Sequence, residues 1–423
     1  MTGVAARFAP GGTTDSRLRT ETMRAMTGTE SFDTVDDPGM AAGPPDSYSH
    51  WVRKVIRAVR SERNLLVSLF DSSVPEPVEL LREIVLQGFS DPITSRYTSA
   101  FNGNPFVIER LAAQYRVPRD QILCTTGATG AFSLVYRALL SPGDRVLVET
   151  PGFDLFHIIA RTQGLNVDHF TRRGEHFTID PDEVSARIGP RTKLIVLSDL
   201  HNPSGMRLDR ATLAAIGRIA EARGIHVLVD EVYGDYLDPE LRATPALDLS
   251  PAIISVSSLT KSHGLSTLRC GWVAGAAAPM RRIRALAEEI EFGVSNLSHA
   301  VAALVLERRA AFDAYRTGIL QRARPIIESY HGYWRAEGLV TGELPRFGCI
   351  VFPRLIGIDR TIAFSEWLAE RCGVIVAPGE YFGAAGHIRL GFARAPADVD
   401  YGLQALTDGL LRYRDLHARQ RME

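Results

Sequence analysis

Residues 255–272 read SVSSLTKSHGLSTLRCGW, and the one lysine among them, Lys261, organises the reading of the whole chain. An apolar run over 252–256 leads into Ser257, Ser258 and Thr260, then Lys261; Arg269 follows eight residues later, before the chain turns apolar again at CGWVAG. A lysine at the end of a buried strand loses hydration, which lowers its pKa and offers the neutral amine that Schiff-base chemistry needs. A solvated surface lysine is the plainer alternative. The neighbours argue against it, because Ser258 and Arg269 both suit a phosphate.

Apolar runs lie on both sides of this stretch. RVLVET (145–150), KLIVLSD (193–199), IHVLVDE (225–231), AIISVSS (252–258) and CGWVAG (270–275) alternate with helical patterns, among them helices starting at Asp154 and Asp209. Near-continuous Val/Ile/Leu runs between helices predict a mostly parallel sheet covered on both faces. The polar clusters HNPSG, DEVY and SSLTK each stand where a run ends. Ligands of open α/β sheets bind outside the carboxyl ends of the strands, so these clusters are expected to converge. Asp230 offers a strand-end carboxylate for a pyridinium nitrogen, Tyr233 a hydroxyl for a phenolate oxygen, and Asn202 a further donor.

The rest of the chain sets the frame. Residues 1–48 are rich in Thr, Gly, Ser, Asp and Pro and are expected to form a disordered leader. Residues 49–95 hold an amphipathic docking helix, with Trp51, Val52, Val55, Ile56 and Val59 on one face, and a small-domain segment. Residues 96–324 form the large domain, and 325–423, with CIVFPR, GVIVAPG and HIRLGFA, a smaller α+β domain.

Composition narrows the partners. Lys plus Arg number 48 against 49 Asp plus Glu, which gives no electrostatic reason to expect nucleic acid or an anionic membrane. Four scattered cysteines, Cys124, Cys270, Cys349 and Cys372, show no CxxC and read as reduced, buried thiols. With no signal pattern and no apolar run near the roughly 18–20 residues of a membrane helix, the expectation is a cytoplasmic protein acting on small molecules.

Taken together, SxxK followed by Arg269, DEVY, HNPSG and a C-terminal GHIRLGFAR resemble, in their order, the fold type I pyridoxal-phosphate enzymes. The resemblance runs from about residue 62 to the C-terminus and is to the class I/II aminotransferases related to aspartate aminotransferase. It implies pyridoxal 5'-phosphate as cofactor, no metal, and a homodimer acting on an amino acid and a 2-oxo acid. Lys261 then matches the lysine that forms the aldimine and moves the substrate Cα proton. Asp230 matches the partner of the ring nitrogen, and Asn202 and Tyr233 match the donors to the ring oxygen, with Asn202 also facing substrate. Ala128 and Thr129, in the glycine-bearing turn of CTTGATGAF, match the phosphate site beside Ser258 and Arg269. Phe153 suits either a ring stacked on the pyridine or a plain core position. Arg389 matches the arginine for the substrate α-carboxylate, whose planar group suits a two-pronged guanidinium; Arg394 has no family role and reads as surface charge. Tyr97 matches the tyrosine lent to the neighbouring subunit, and Ser295 and Asn296 match a pair near the subunit boundary.

The chain departs from the family in two places. The segment VSLFDSSVPEP (67–77) has no glycine, so Phe70, Asp71, Ser72 or Ser73 is available to face the pocket. An ungapped count from Ser295 puts Glu291 where some members hold a side-chain-binding arginine, which would favour a neutral or basic substrate. Another reaction at Cα, such as elimination, decarboxylation or oxidation, remains open on the same scaffold. A non-catalytic effector-binding module would need a DNA-binding domain, for which the leader is too poor in apolar residues.

Overall fold

The computed structural model describes residues 47–61, 66–90, 96–98, 102–291 and 293–420. The expected leader falls, up to residue 46, outside the described residues. The chain divides into a larger unit, residues 73–320 with 345–349, and a smaller one built from the chain up to residue 72, 321–344 and 350–423.

The larger unit is built on an eight-stranded sheet. Its strands are β1 (Ile122–Thr126), β2 (Arg145–Thr150), β3 (Asn166–Arg173), β4 (Thr178–Ile179), β5 (Thr192–Ser198), β6 (His226–Asp230), β7 (Ile253–Ser258) and β8 (Cys270–Gly275). Their order in space is β1-β8-β7-β6-β5-β2-β3-β4. The pairs β7–β6, β6–β5, β5–β2 and β2–β3 are parallel, whereas β8 runs antiparallel to both β7 and β1.

The apolar runs have no polar alternation because both faces are covered. Leu194, Val196, Leu228, Ile254 and Val256 pack on one face with Phe132, Val135 and Tyr136 of the helix Gly127–Leu139 and with Met280 and Ile283 of the helix Ala277–Ile290. Their neighbours in sequence, Ile195, Leu197, Val227, Val229 and Ile253, point the other way onto Leu213 and Ile216 of the helix Arg210–Ala222. Successive side chains of a strand face opposite sides, so continuous hydrophobicity is what two helical layers require. Asp209 begins its helix as the sequence suggests, its carboxylate accepting from the Thr212 N–H at 3.1 Å. Asp154 directly precedes the helix Leu155–Thr162.

The smaller unit is α+β. Its strand Ile388–Gly391 lies between Ile350–Val351 and Ala377–Pro378 in a three-stranded antiparallel sheet, and Val67–Ser68 pairs in parallel with Val374–Ile375. The helices Tyr48–Ser61, Thr361–Cys372 and Pro396–Gln420 belong to it. On the first of these, Trp51 packs edge-on against Phe70 at 5.5 Å and Val55 is buried, whereas Ile56, expected on the same docking face, is exposed. All four cysteines are buried, and none is in a disulfide. No helix among the described residues is long and apolar enough to cross a membrane.

Candidate active site

In the larger unit, adjacent parallel strands end in Ser258 (β7), Asp230 (β6), Ser198 (β5) and Thr150, after Glu149 (β2). Ser198 and Asp230 are direct register partners. Asp230 is buried, and its Oδ1 accepts from the Val232 N–H at 3.1 Å. Burial pushes its carboxyl up to about 7; the nearby negative charge of Glu149 adds to the rise, and the positive charge of Lys261 opposes it. Lys261 therefore lies within electrostatic reach of Asp230. It is half-buried, and its backbone carbonyl accepts from the Val74 N–H and from the Tyr236 hydroxyl, both at 3.2 Å. Tyr233 is buried with its ring 6.1 Å from that of Tyr236.

The phosphate-type residues meet where β8 returns beside β1. Arg269 adopts a left-handed conformation, φ 47°. Its guanidinium lies over Gly127, where a Cβ would come within 2.5 Å of Nη2. A Cβ on Gly271 would lie 2.4 Å from the Gly127 carbonyl carbon and 2.7 Å from the Ala128 nitrogen. Both glycines are needed so that β8 and the helix start Gly127–Leu139 can approach this closely. The result is a helix N-terminus with an arginine laid across it, an arrangement whose N–H groups and charge suit a dianion. Ala128 is half-buried there and Thr129 exposed. Ser258, on the strand beside β8, is buried and accepts from the Thr260 N–H at 3.3 Å.

Asn202 is buried, and its turn rests on a network that sequence reading missed. Glu149 and Arg172 form an ion pair at 2.6 Å with both side chains almost wholly buried. The Ser198 hydroxyl donates to Glu149 at 2.6 Å and accepts from the Asn202 N–H at 3.1 Å, while Arg172 Nη2 donates to the Ser198 carbonyl at 2.6 Å. Burial raises the Glu149 carboxyl above its ordinary range, and Arg172 and Ser198 offset part of that rise. Removing one partner would leave a buried, uncompensated charge, a cost of about 3–5 kcal/mol. His201 completes the turn, bonded to Ser204 Oγ at 2.7 Å and the Pro151 carbonyl at 2.9 Å; burial holds its pKa well below the usual value, so it is neutral.

Phe153 is half-buried, edge-on to Phe156 at 5.7 Å and packed against the core, so it has one core-facing side. Tyr97 is half exposed on the larger unit. Beside it, Arg96 makes two 3.0 Å bonds to Glu307, and its carbonyl accepts from Asn104 Nδ2 at 2.6 Å. Ser295 caps the helix Asn296–Glu307 by accepting from the Ser298 N–H at 3.3 Å. Glu291 follows the helix Ala277–Ile290 and is half-buried.

In the smaller unit, Arg389 occupies the central strand of its sheet and is wholly buried, which rules out an exposed edge position. Its guanidinium carbon lies 4.8 Å from the ring of Tyr48 and 4.9 Å from that of Phe382. Nη2 donates to the Phe70 carbonyl at 2.9 Å and to the Tyr48 hydroxyl. Arg394 is not plain surface charge: it is half-buried and pairs with Asp71 at 2.8 Å. Asp71 also accepts from the Ser68 hydroxyl at 2.8 Å, so its carboxylate is engaged within this unit.

A buried strand-end carboxylate within electrostatic reach of a lysine and a helix start topped by an arginine are the site's two main chemical features. Residues 81–406 match the family model for aminotransferase class I and II. The chain belongs to that family. It is 30% identical to the arginine–pyruvate transaminase AruH of Pseudomonas aeruginosa over 355 residues, covering 80% of this chain and 88% of the relative. It is also 30% identical to the capreomycidine synthase of Streptomyces vinaceus over 310 residues, covering 72% and 77%. A solved PLP-dependent aminotransferase from Streptococcus suis superposes with a TM-score of 0.75 at 26% identity, over 85% of this chain and 97% of that one. Class I and II aminotransferases depend on pyridoxal 5'-phosphate, and the fold is that of aspartate aminotransferase. The residues present fit such a cofactor: the close approach at Gly127 and Gly271 under Arg269 suits its phosphate, and the buried Asp230 carboxyl suits a cationic ring nitrogen.

Proposed function

We propose that this aminotransferase holds pyridoxal 5'-phosphate in the larger unit through Lys261, Asp230, Asn202, Tyr233, Ser258, Arg269, Ala128 and Thr129, with Phe153 against the ring. The observation that carries the reading is the buried Asp230 carboxyl at the end of β6, within electrostatic reach of Lys261, on the same sheet as the glycine-dependent helix start that lies under Arg269. When bound, the cofactor supplies an electron sink for bond breaking at the substrate Cα and a carrier for the amino group. Asp230, as a carboxylate, holds a positive charge at the ring nitrogen. Lys261 anchors the cofactor between turnovers and carries the proton to and from the substrate Cα with its amine. Tyr233 and Asn202 donate to the ring oxygen, and the Glu149–Arg172 pair fixes the Asn202 turn through Ser198. Arg389, in the smaller unit, binds the carboxylate shared by amino and oxo acids.

The name of the Pseudomonas relative makes L-arginine and pyruvate the first pair to test, and Glu291 is the acidic residue offered for a basic side chain. The test is a half-reaction screen: purified, loaded enzyme is mixed with single amino acids and followed at the absorbances of the pyridoxal and pyridoxamine forms. Conversion by at least one amino acid, with one oxo acid released per amino group retained, is expected. The Streptomyces relative is named a synthase rather than a transaminase, and this supports testing a second reading, another reaction at Cα, which would release product without forming the pyridoxamine form.

Replacing Arg389 by alanine should raise KM for the amino acid and the oxo acid alike, by roughly 100-fold, because a charge-assisted contact common to both is lost. Steady-state kinetics in both directions check this. A rise for one substrate alone would mean that Arg389 reads a side chain.

The proposed assembly is a cytoplasmic two-fold homodimer in which Tyr97 serves the partner's site. Support comes from its half-exposed position beside the Arg96–Glu307 clamp and from the prevalence of closed two-fold oligomers. After subunit exchange between inactive Lys261→Ala and Tyr97→Ala proteins, each heterodimer should contain one intact site, and activity should return. Exchange without any return of activity would place Tyr97 within its own chain's site or outside the chemistry.

A further inference from the structure

The hydrogen bonds of Arg389 raise a question that its expected role leaves unanswered. A guanidinium can grip a carboxylate with two parallel bonds along either of two edges, Nε with Nη2 or Nη1 with Nη2. Both edges use Nη2, and Nη2 has two hydrogens. One goes to the Phe70 carbonyl at 2.9 Å and the other to the Tyr48 hydroxyl. Neither two-pronged grip can form until one of these acceptors leaves.

The two acceptors differ in freedom. The Phe70 carbonyl is backbone, two residues beyond the strand Val67–Ser68, whose pairing with Val374–Ile375 is extended by the Leu69 N–H donating to the Ile375 carbonyl at 2.8 Å. The Tyr48 hydroxyl ends a rotatable side chain on the first residue of the helix Tyr48–Ser61. A neutral hydroxyl satisfies a buried N–H without cancelling the arginine's charge. A carboxylate does both, and its two oxygens can accept from two guanidinium N–H groups at once. The Tyr48 and Phe382 rings lie 4.8 and 4.9 Å from the guanidinium carbon, within the range of a cation–π attraction.

We propose that Tyr48 occupies the carboxylate-binding edge of Arg389 when no carboxylate is bound, that an incoming substrate carboxylate displaces its hydroxyl, and that Tyr48 thereby sets the affinity for carboxylates. The inference rests on Arg389 being the carboxylate arginine. It opposes the simpler idea that Tyr48 is a second carboxylate ligand, and the two predict effects of opposite sign.

The test uses the holoenzyme, with hexanoate as an unreactive carboxylate and hexan-1-ol as its uncharged control, and measures dissociation constants by calorimetry. Tyr48→Phe keeps the ring and removes one oxygen. It should bind hexanoate about tenfold more tightly, since the carboxylate no longer competes with a hydroxyl, and leave hexan-1-ol unchanged. KM for amino and oxo acids should fall with kcat unaltered. Weaker or unchanged hexanoate binding in a folded Tyr48→Phe protein would overturn the proposal. Should that variant fail to fold, wild-type protein carrying 3-fluorotyrosine at position 48 gives the answer: hexanoate should move its fluorine resonance, hexan-1-ol should not, and no movement would overturn the proposal. Arg389→Ala separates the two levels. If it leaves hexanoate binding intact, the carboxylate role of Arg389 fails and the inference falls with it; if it weakens binding while Tyr48→Phe does not tighten it, only the inference fails.

Discussion

Lys261→Ala should abolish turnover, by roughly four orders of magnitude or more, because it removes both the covalent anchor and the base that moves the Cα proton. Binding of the cofactor should survive, since the helix start at Gly127, Arg269, Ser258 and Asp230 are untouched. The protein should therefore still copurify with pyridoxal 5'-phosphate that dialysis removes, and fold as the wild type does. The check is single-turnover kinetics with an amino acid that reacts with the wild type. Retention of even a hundredth of the wild-type rate would mean that another group moves the proton.

Asp230→Asn has the second-largest expected effect, and it acts in two directions. In the loaded enzyme kcat should fall by roughly three orders of magnitude, since a neutral amide cannot hold the ring nitrogen in its cationic form. In the cofactor-free protein the same change should stabilise. Burial pushes the Asp230 carboxyl up to about 7, above its unfolded value near 3.8. The native state thus holds a proton that the unfolded chain has released between those values, and stability linked to Asp230 is complete below about pH 4 and lost as pH rises through 7. Asparagine has no such loss. The difference in Tm between Asp230→Asn and wild-type apoprotein should grow in favour of the variant from pH 5 to pH 8; a difference that shrinks over that interval contradicts the assignment of this carboxyl as the one raised by burial.

Legibility in the sequence followed the range over which each feature acts. The apolar runs, their ends at Asp230, Ser258 and Asn202, and the helix starts at Asp154 and Asp209 are local, and the chain folds as those patterns predict. So does the α/β class with an added α+β unit. What escaped were pairings between distant positions. Glu149 and Arg172 sit in unremarkable strand patterns, and nothing local shows that both are driven into the interior and must neutralise each other. One signal was available: an acidic residue at the end of the buried run RVLVET needs a cation. Tyr48 was hidden more completely, at the end of a polar leader and 341 residues from Arg389. Arg394 read as surface charge because Asp71 lies 323 residues away in a segment notable only for its missing glycine.

Lys261, the one lysine of SVSSLTKSHGLSTLRCGW, carries both the covalent anchor and the proton transfer proposed for this enzyme. Borohydride reduction of the loaded protein, followed by proteolysis and mass spectrometry of the peptides, tests it directly. The account predicts a single pyridoxyl adduct, on Lys261, absent from Lys261→Ala. An adduct on Lys54, Lys193 or no lysine at all would contradict it.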